Sequence, residues 1–246
     1  MKMKKVPKNV RFRIFAVQIV MVLFLKSGLL FGQDLGAKKV IVIDSGHGGK
    51  DFGAVGVNGI KEKDVVLDVA KAILELNESL RFPFDIYLTR YGDTLISLTD
   101  RAKLAKRLKA DVFLSLHCNH SDNPNVRGVE VYASNQNSEF SDDATWLAFR
   151  LQSELNKNLG FTSRGVKFAN FQVLRETAES MPTILLELGF LSNGDEVDYL
   201  MKQGNTNALA LVTFLGLWNV YFPPKTDFPL ELFSTHLSTH FKEVCN

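Results

Sequence analysis

From residue 38 onward, short uninterrupted apolar runs alternate with longer stretches whose apolar residues recur every three or four positions. That alternation is the tightest constraint on the fold. The first run, residues 40–43, is β-branched throughout, which suits a strand buried on both faces, because a half-exposed strand would alternate apolar with polar residues. Similar runs at 86–89, 112–116, 128–132 and 183–188 predict further strands, and Val173-Leu174 predicts a short one. Between them, Val66, Val69, Ile73, Leu76 and Leu80 form a helical stripe that begins after Lys61. Thr99 and Asp100 open a second predicted helix, with Ala102, Ala105 and Leu108 on one face. A third starts at Asp142-Asp143, carries Leu147, Leu151 and Leu155, and stops at Gly160. Residues 195–201 and 206–221 complete the helices. Strands alternating with helices imply an α/β fold: a single domain with a mostly parallel twisted sheet and helices on both faces. The expected domain covers residues 38–222, and Pro223-Pro224 separates it from a tail, 223–246, of no assigned role.

The first thirteen residues hold Lys2, Lys4, Lys5, Lys8, Arg11 and Arg13 and precede an apolar run at 14–25. With small residues following at Ser27, Gly28 and Gly32, residues 1–32 read as a secretory signal. The run is shorter than the about 20 apolar residues that span a bilayer. The expected location is therefore exported, in the periplasm or cell envelope, with no stable membrane insertion once the signal is removed. Removing those six positive charges takes the formal net charge from +2 to −4, which leaves no basic surface for nucleic acid. Two cysteines, Cys118 and Cys245, make no disulfide framework. Cys118, inside a strand-end motif, is expected to be a buried free thiol.

In a sheet of this class ligands sit beyond the carboxyl ends of the strands, and three of those ends carry chemistry. The first runs into Asp44-Ser45-Gly46-His47-Gly48-Gly49, the third ends Leu116-His117-Cys118-Asn119, and the last contains Leu186-Glu187-Leu188-Gly189. Glu62 opens the helix after the first loop. Two histidines, one ligating carboxylate and one separate carboxylate compose a catalytic zinc site: three protein ligands leave a coordination position for water. Bound zinc lowers the pKa of that water to about 7, and a free carboxylate moves its proton. Each residue also has a plainer reading. A lone histidine at a strand end is commonly a hydrogen-bonded structural residue, and Glu62 alone is an acid favoured at a helix N-terminus. Glu187 is harder to set aside, since burying a carboxylate in so apolar a strand is costly.

A phosphate-binding loop fails on spacing. A dinucleotide fingerprint starting at Gly46 needs glycine where Asp51 stands, and a P-loop ending at Gly49-Lys50 needs glycine at 44 and a hydroxyl at 51; both are Asp. In the tail, His236 and His240 have helical spacing, but Leu237 occupies the position a metalloprotease motif needs as Glu.

The strings Val42-Ile43-Asp44-Ser45-Gly46-His47-Gly48-Gly49, Gly59-Ile60-Lys61-Glu62, Ser115-Leu116-His117-Cys118-Asn119 and Leu186-Glu187-Leu188-Gly189-Phe190 together resemble the ordered motifs of zinc-dependent N-acetylmuramoyl-L-alanine amidases. The resemblance runs from about Lys39 to Tyr221. It implies one zinc ion per chain held by His47, Glu62 and His117, with Glu187 as the catalytic carboxylate that relays a proton from zinc-activated water. It implies peptidoglycan as substrate, cut at the amide between the lactyl group of N-acetylmuramic acid and L-alanine. Arg175 is read equally as a substrate contact and as a surface salt bridge. Members of the family often carry proline at the positions of Ser45 and Phe52 and alanine at Cys118; none of these is a ligand. Some division-associated relatives have an autoinhibitory helical insertion after the strand at 128–132. Here one helix nearly fills that interval, so the expected site is open without an activator protein. The default state is a monomer. Two other readings stand beside this one: a zinc peptidase cutting inside the stem peptide, and a peptidoglycan-binding module without catalysis.

Overall fold

The apolar runs are strands, and most continue further toward their carboxyl ends than the runs themselves. The computed structural model describes residues 38–80 and 84–221. Its strands are β1 (Lys39–Ser45), β2 (Phe84–Leu88), β3 (Val112–Asn119), β4 (Val129–Ser134), β5 (Ser163–Ala169) and β6 (Thr183–Phe190). The helices are α1 (Glu62–Leu80), α2 (Leu98–Leu108), α3 (Ser141–Leu159), α4 (Gln172–Thr177), α5 (Gly194–Leu200) and α6 (Gln203–Tyr221). One sheet runs in the order β2-β1-β3-β6-β4-β5. All neighbours are parallel except β4 and β6. This matches the mostly parallel α/β sheet expected from the alternation.

The two faces of the sheet carry unequal cores. Ile41, Ile43, Leu114, Leu116, Val129, Val131, Ile184 and Leu186 point into a large apolar cluster shared with Val66, Ile73, Leu147, Leu151 and Phe214 from α1, α3 and α6. On the other face, Val42, Phe113 and Leu185 join Ala105 of α2 and Val173 and Leu174 of α4 in a much smaller cluster. Fully burying one such aliphatic side chain contributes about 1.5–3 kcal/mol, so most of the hydrophobic stabilisation lies on the first face.

Local chemistry sets the helix ends. Ser97 caps α2: its hydroxyl accepts the Asp100 N–H at 3.1 Å, satisfying a donor the helix cannot use itself. Gly160 ends α3 in the left-handed conformation, φ 73°, as its position after the apolar stripe predicts. Helix α3 is the one helix between β4 and β5, and it packs against the large core.

One expected element is corrected. Val173-Leu174 is helical, part of α4, because Val173, Leu174 and Thr177 bury one side of a single turn against the smaller cluster. The strand in that part of the chain is β5, an edge strand exposed over most of its length; it has no apolar run to announce it. Cys118 is a buried free thiol. The expected signal at 1–32 and the tail at 223–246, with His236, His240 and Cys245, lie outside the described residues. Among the described residues no helix is long and apolar enough to cross a membrane.

Candidate active site

After β1 the chain turns sharply through Gly46-His47-Gly48-Gly49. His47 takes a φ of 59°, a left-handed conformation that costs a non-glycine residue about 1–2 kcal/mol. Its surroundings therefore have to hold it there. Two buried arginines do so through main-chain carbonyls. Arg101 on α2 donates from Nη1 to the Ser45 carbonyl and from Nη2 to the His47 carbonyl, both at 2.6 Å. Arg90, just past β2, donates to the carbonyls of Ser45 at 3.0 Å and Gly46 at 2.9 Å. Asp44 accepts from Arg101, Thr89 and Ser115, each at 2.7 Å. The buried Arg101 guanidinium thus faces a carboxylate whose own lone pairs are satisfied, the condition under which a buried ion pair is tolerated.

His47 Nδ1 lies 2.9 Å from Asp51 Oδ2, and its Nε2 lies 3.1 Å from Glu62 Oε1. The same Glu62 oxygen is 2.8 Å from His117 Nδ1 and accepts the Cys118 N–H at 3.0 Å. Glu62 Oε2 accepts the Ala54 N–H at 2.8 Å. Glu62, the first residue of α1, is thereby locked between the first loop and the end of β3. A Cβ on Gly46 would run into the His117 ring, and one on Gly53 would strike Glu62 and His47. These two positions are places of close approach that only glycine allows.

One ligand atom from each of His47, Glu62 and His117 lies within 4.8 Å of the others. Tetrahedral zinc with bonds of about 2.0–2.2 Å places its ligand atoms about 3.4 Å apart, and Glu62 Oε1 already stands near that spacing from both imidazoles, 3.1 Å from His47 Nε2 and 2.8 Å from His117 Nδ1. Asp51 fits the same purpose, since a metal-binding imidazole commonly gives its other nitrogen to a carboxylate. The electrostatics agree. Burial alone would lower the His47 pKa, but Glu62 and then Asp51 outweigh it and raise it to about 9. Burial would raise the Glu62 carboxyl, yet hydrogen bonds from His117 and His47 hold it well below the usual carboxylate range. The pocket is built around negative charge that attracts positive charge.

Glu187 stands beside this cluster. Across the β3–β6 ladder its Cα partner is His117, which puts both side chains on one face of the sheet. Both also line a cleft of about 730 Å³, walled by Leu95, Leu98 and Phe171. Glu187 Oε2 is shut from solvent and has no hydrogen-bond partner among the described residues. Burial raises its pKa to about 7, with His117 pulling it down and Glu62 and Glu130 pushing it up. A carboxyl poised there exchanges a proton readily at neutral pH.

The four residues expected to carry the chemistry thus converge. Arg175 does not join them. It sits on α4, where Nη1 donates to the Asn170 carbonyl and to Asn170 Oδ1, each at 3.1 Å, outside the residues that line the cleft. The sequence reading passed over Asp51, Arg90, Arg101 and Glu130. Only Asp51 had a usable signal, an acid four residues after a candidate ligand.

Residues 41–218 match the family described as N-acetylmuramoyl-L-alanine amidase. The chain is 38% identical over 181 residues to an endolysin of Bacillus phage SPP1, a match covering 70% of this chain and 62% of that one. It is 39% identical over 165 residues to the N-acetylmuramoyl-L-alanine amidase LytC of Bacillus subtilis strain 168, covering 67% of this chain and 32% of LytC. The match therefore spans less than two thirds of the length of either relative. The catalytic domain of CwlV, an N-acetylmuramoyl-L-alanine amidase from Bacillus (Paenibacillus) polymyxa var. colistinus, superposes with a TM-score of 0.68 at 35% identity, covering 74% of this chain and 98% of that domain.

Proposed function

We propose that the chain, which belongs to the N-acetylmuramoyl-L-alanine amidase family, hydrolyses the amide between N-acetylmuramic acid and L-alanine in peptidoglycan. The observation that carries this reading is a cluster of two imidazoles and one carboxylate sharing its cleft with Glu187, whose buried Oε2 is unpartnered. His47, Glu62 and His117 would hold one zinc ion per chain. Bound there, zinc supplies Lewis-acid polarisation of the scissile carbonyl and acidifies water.

The chain's own residues account for the rest. Asp51 holds the His47 ring so that Nε2 faces Glu62. Arg90 and Arg101 fix the loop that carries it. Glu187 takes a proton from the attacking water as the new C–O bond forms on the lactyl carbon. It then gives that proton to the alanine nitrogen as the C–N bond breaks, so that the lactyl carboxylic acid, which ionises by losing its proton to the solvent, and the free peptide amine leave and the Glu187 carboxylate is restored. Leu95, Leu98 and Phe171 give the cleft beside the carboxyl an apolar lining. Arg175 is assigned a contact with a more distant part of the substrate, since α4 also supplies Gln172 and Val173 to the cleft.

The place of action is the cell envelope, reached by export through residues 1–32, and the acting species is a monomer with peptidoglycan as its macromolecular partner. The site works without an activator protein, because α3, the one helix between β4 and β5, packs on the large-core face. Digestion of purified sacculi by the zinc-loaded protein alone, followed by product mass analysis, tests the bond cut and the independence of an activator. Free stem peptides and bare glycan strands support it. Cuts inside the peptide indicate a peptidase, and sacculi bound but intact indicate a binding module.

A further inference from the structure

A second charged cluster lies next to Glu187, on the side away from His117. Across the β4–β6 ladder the Cα partner of Glu187 is Glu130, which is buried to 2% exposure. Glu130 accepts four side-chain donors. Oε2 takes Asn119 at 3.0 Å and the Tyr132 hydroxyl at 2.7 Å, and Oε1 takes Arg164 Nε at 2.5 Å and Lys167 Nζ at 2.7 Å. Two cations therefore converge on one anion and leave an excess positive charge. Both cations come from β5, the exposed edge strand.

Neither is spent by the pairing. The side chains of Arg164 and Lys167 remain 34% and 38% exposed. The Arg164 guanidinium lies over the Phe190 ring, 5.2 Å from its centroid, and Lys167 Nζ lies 5.7 Å from that of Tyr132. Only Nε of Arg164 is engaged; its two terminal nitrogens make no hydrogen bond among the described residues. An arginine pinned at Nε, stacked on an aromatic face and open at its fork has lost its conformational freedom in advance and still presents a bidentate donor pair. A salt bridge that served stability alone would not need a second cation or the open fork.

The distance suits a substrate. Two strand spacings of about 4.8 Å separate β6 from β5, roughly 10 Å, which about three residues of extended peptide cover. Tyr132 connects the two regions: its hydroxyl binds Glu130, and its ring meets Phe171 of the cleft wall edge-on at 5.2 Å.

We propose that Arg164, seconded by Lys167, is an anion subsite that binds a carboxylate on the peptide part of the substrate, one to three residues beyond the scissile amide. This rests on the amidase reading for its substrate. Glu130 acts as a positioning residue: it orients both cations and, by staying ionised between them, limits their net charge to that of one ligand carboxylate.

The test compares two synthetic muramoyl-peptides that differ only in whether the carboxyl near the amide is free or converted to carboxamide. For the zinc-loaded protein, kcat/KM should favour the free carboxylate by about tenfold, the worth of one charge-assisted hydrogen-bond pair. Arg164→Gln should bring that ratio near one, Arg164→Lys should keep part of it, and Arg127→Gln, an equal charge change on the surface, should leave it unchanged. Rising salt should shrink the ratio in the native protein. If Arg164→Gln lowers both substrates equally, the residue is structural and the subsite does not exist. If neither substrate is turned over, calorimetric binding of the free and amidated stem peptides still decides. Preference for the free form, lost in Arg164→Gln, keeps the subsite while the amidase reading falls; equal binding overturns the subsite.

Discussion

The same four strands present opposite characters on their two faces. On one, Ile41 and Ile43, Leu114 and Leu116, Val129 and Val131, Ile184 and Leu186 are buried against α1, α3 and α6 with hardly a polar atom. On the other, their neighbours are Asp44, Ser115 and His117, Glu130 and Tyr132, and Glu187, a row of polar side chains crossing the sheet. That row is left open where α2 and α4 stop short and the cleft begins. Because side chains alternate along a strand, each polar residue is one position away from an apolar anchor. The arrangement separates two tasks that conflict. A carboxyl kept desolvated near a pKa of 7 is a liability to stability, and the opposite face supplies the burial that offsets it. The comparison predicts that changes on the polar face act mainly on activity, and that changes on the apolar face act mainly on stability.

The largest effect expected is on Glu187. Glu187→Gln should lower kcat/KM on a muramoyl-L-alanyl substrate by about 10²–10⁴, the range for a general acid–base group. Its Tm should match or exceed that of the native protein, because an unpartnered buried acid has been removed. A variant that is inactive because it has unfolded would break the comparison. Next comes the mirror case. Leu151→Ala, fully buried in the large core, should lose about 2–5 kcal/mol in denaturant unfolding, while the rate per folded molecule stays within a factor of two or so of the native one.

Asp51→Asn sharpens the boundary of the polar region. Asp51 is half exposed and touches no substrate group in this account, yet it orients His47. Zinc affinity measured by competition with a chelator should fall about 10–100-fold, the usual cost of losing such a partner, with the thermal stability of the metal-free protein little changed.

The smallest effect is a pH dependence. Burial would raise the Glu130 carboxyl, but Lys167, Arg164 and Tyr132 outweigh burial and hold its pKa below the ordinary 4.5. Its contribution to stability is therefore present above the unfolded value and lost as the pH falls through the folded one. In urea unfolding, Glu130→Gln should be less stable than the native protein at pH 7, and the gap should narrow steadily below pH about 4.5. A gap that is constant with pH would show that the charge of Glu130 contributes nothing.

What was legible in the sequence follows the same division. The apolar face showed in uninterrupted runs such as 40–43 and 183–188, and the strand-end rule for parallel sheets led directly to His47, His117 and Glu187, because β1, β3 and β6 have to be neighbours for their ends to meet. The residues that hold the loop were not legible. Arg90 and Arg101 bind main-chain carbonyls 44 to 56 positions away, and a carbonyl has no sequence signature. Strand β5 was missed for a related reason: an exposed edge needs no apolar run, and Arg164 and Lys167 look like ordinary surface charge until Glu130 is placed beneath them. Val173 and Leu174 misled because two adjacent apolar residues suit one turn of helix as well as a strand.

The most direct test of the central claim, that the polar row ends in a zinc centre, is an anomalous diffraction map collected at the zinc edge from crystals of the zinc-loaded protein. One peak per chain is expected, about 2.0–2.2 Å from His47 Nε2, His117 Nδ1 and a Glu62 oxygen, with Glu187 beside it and not bonded to it. No peak there at full zinc loading, or a peak bonded to a different set of side chains, would contradict it.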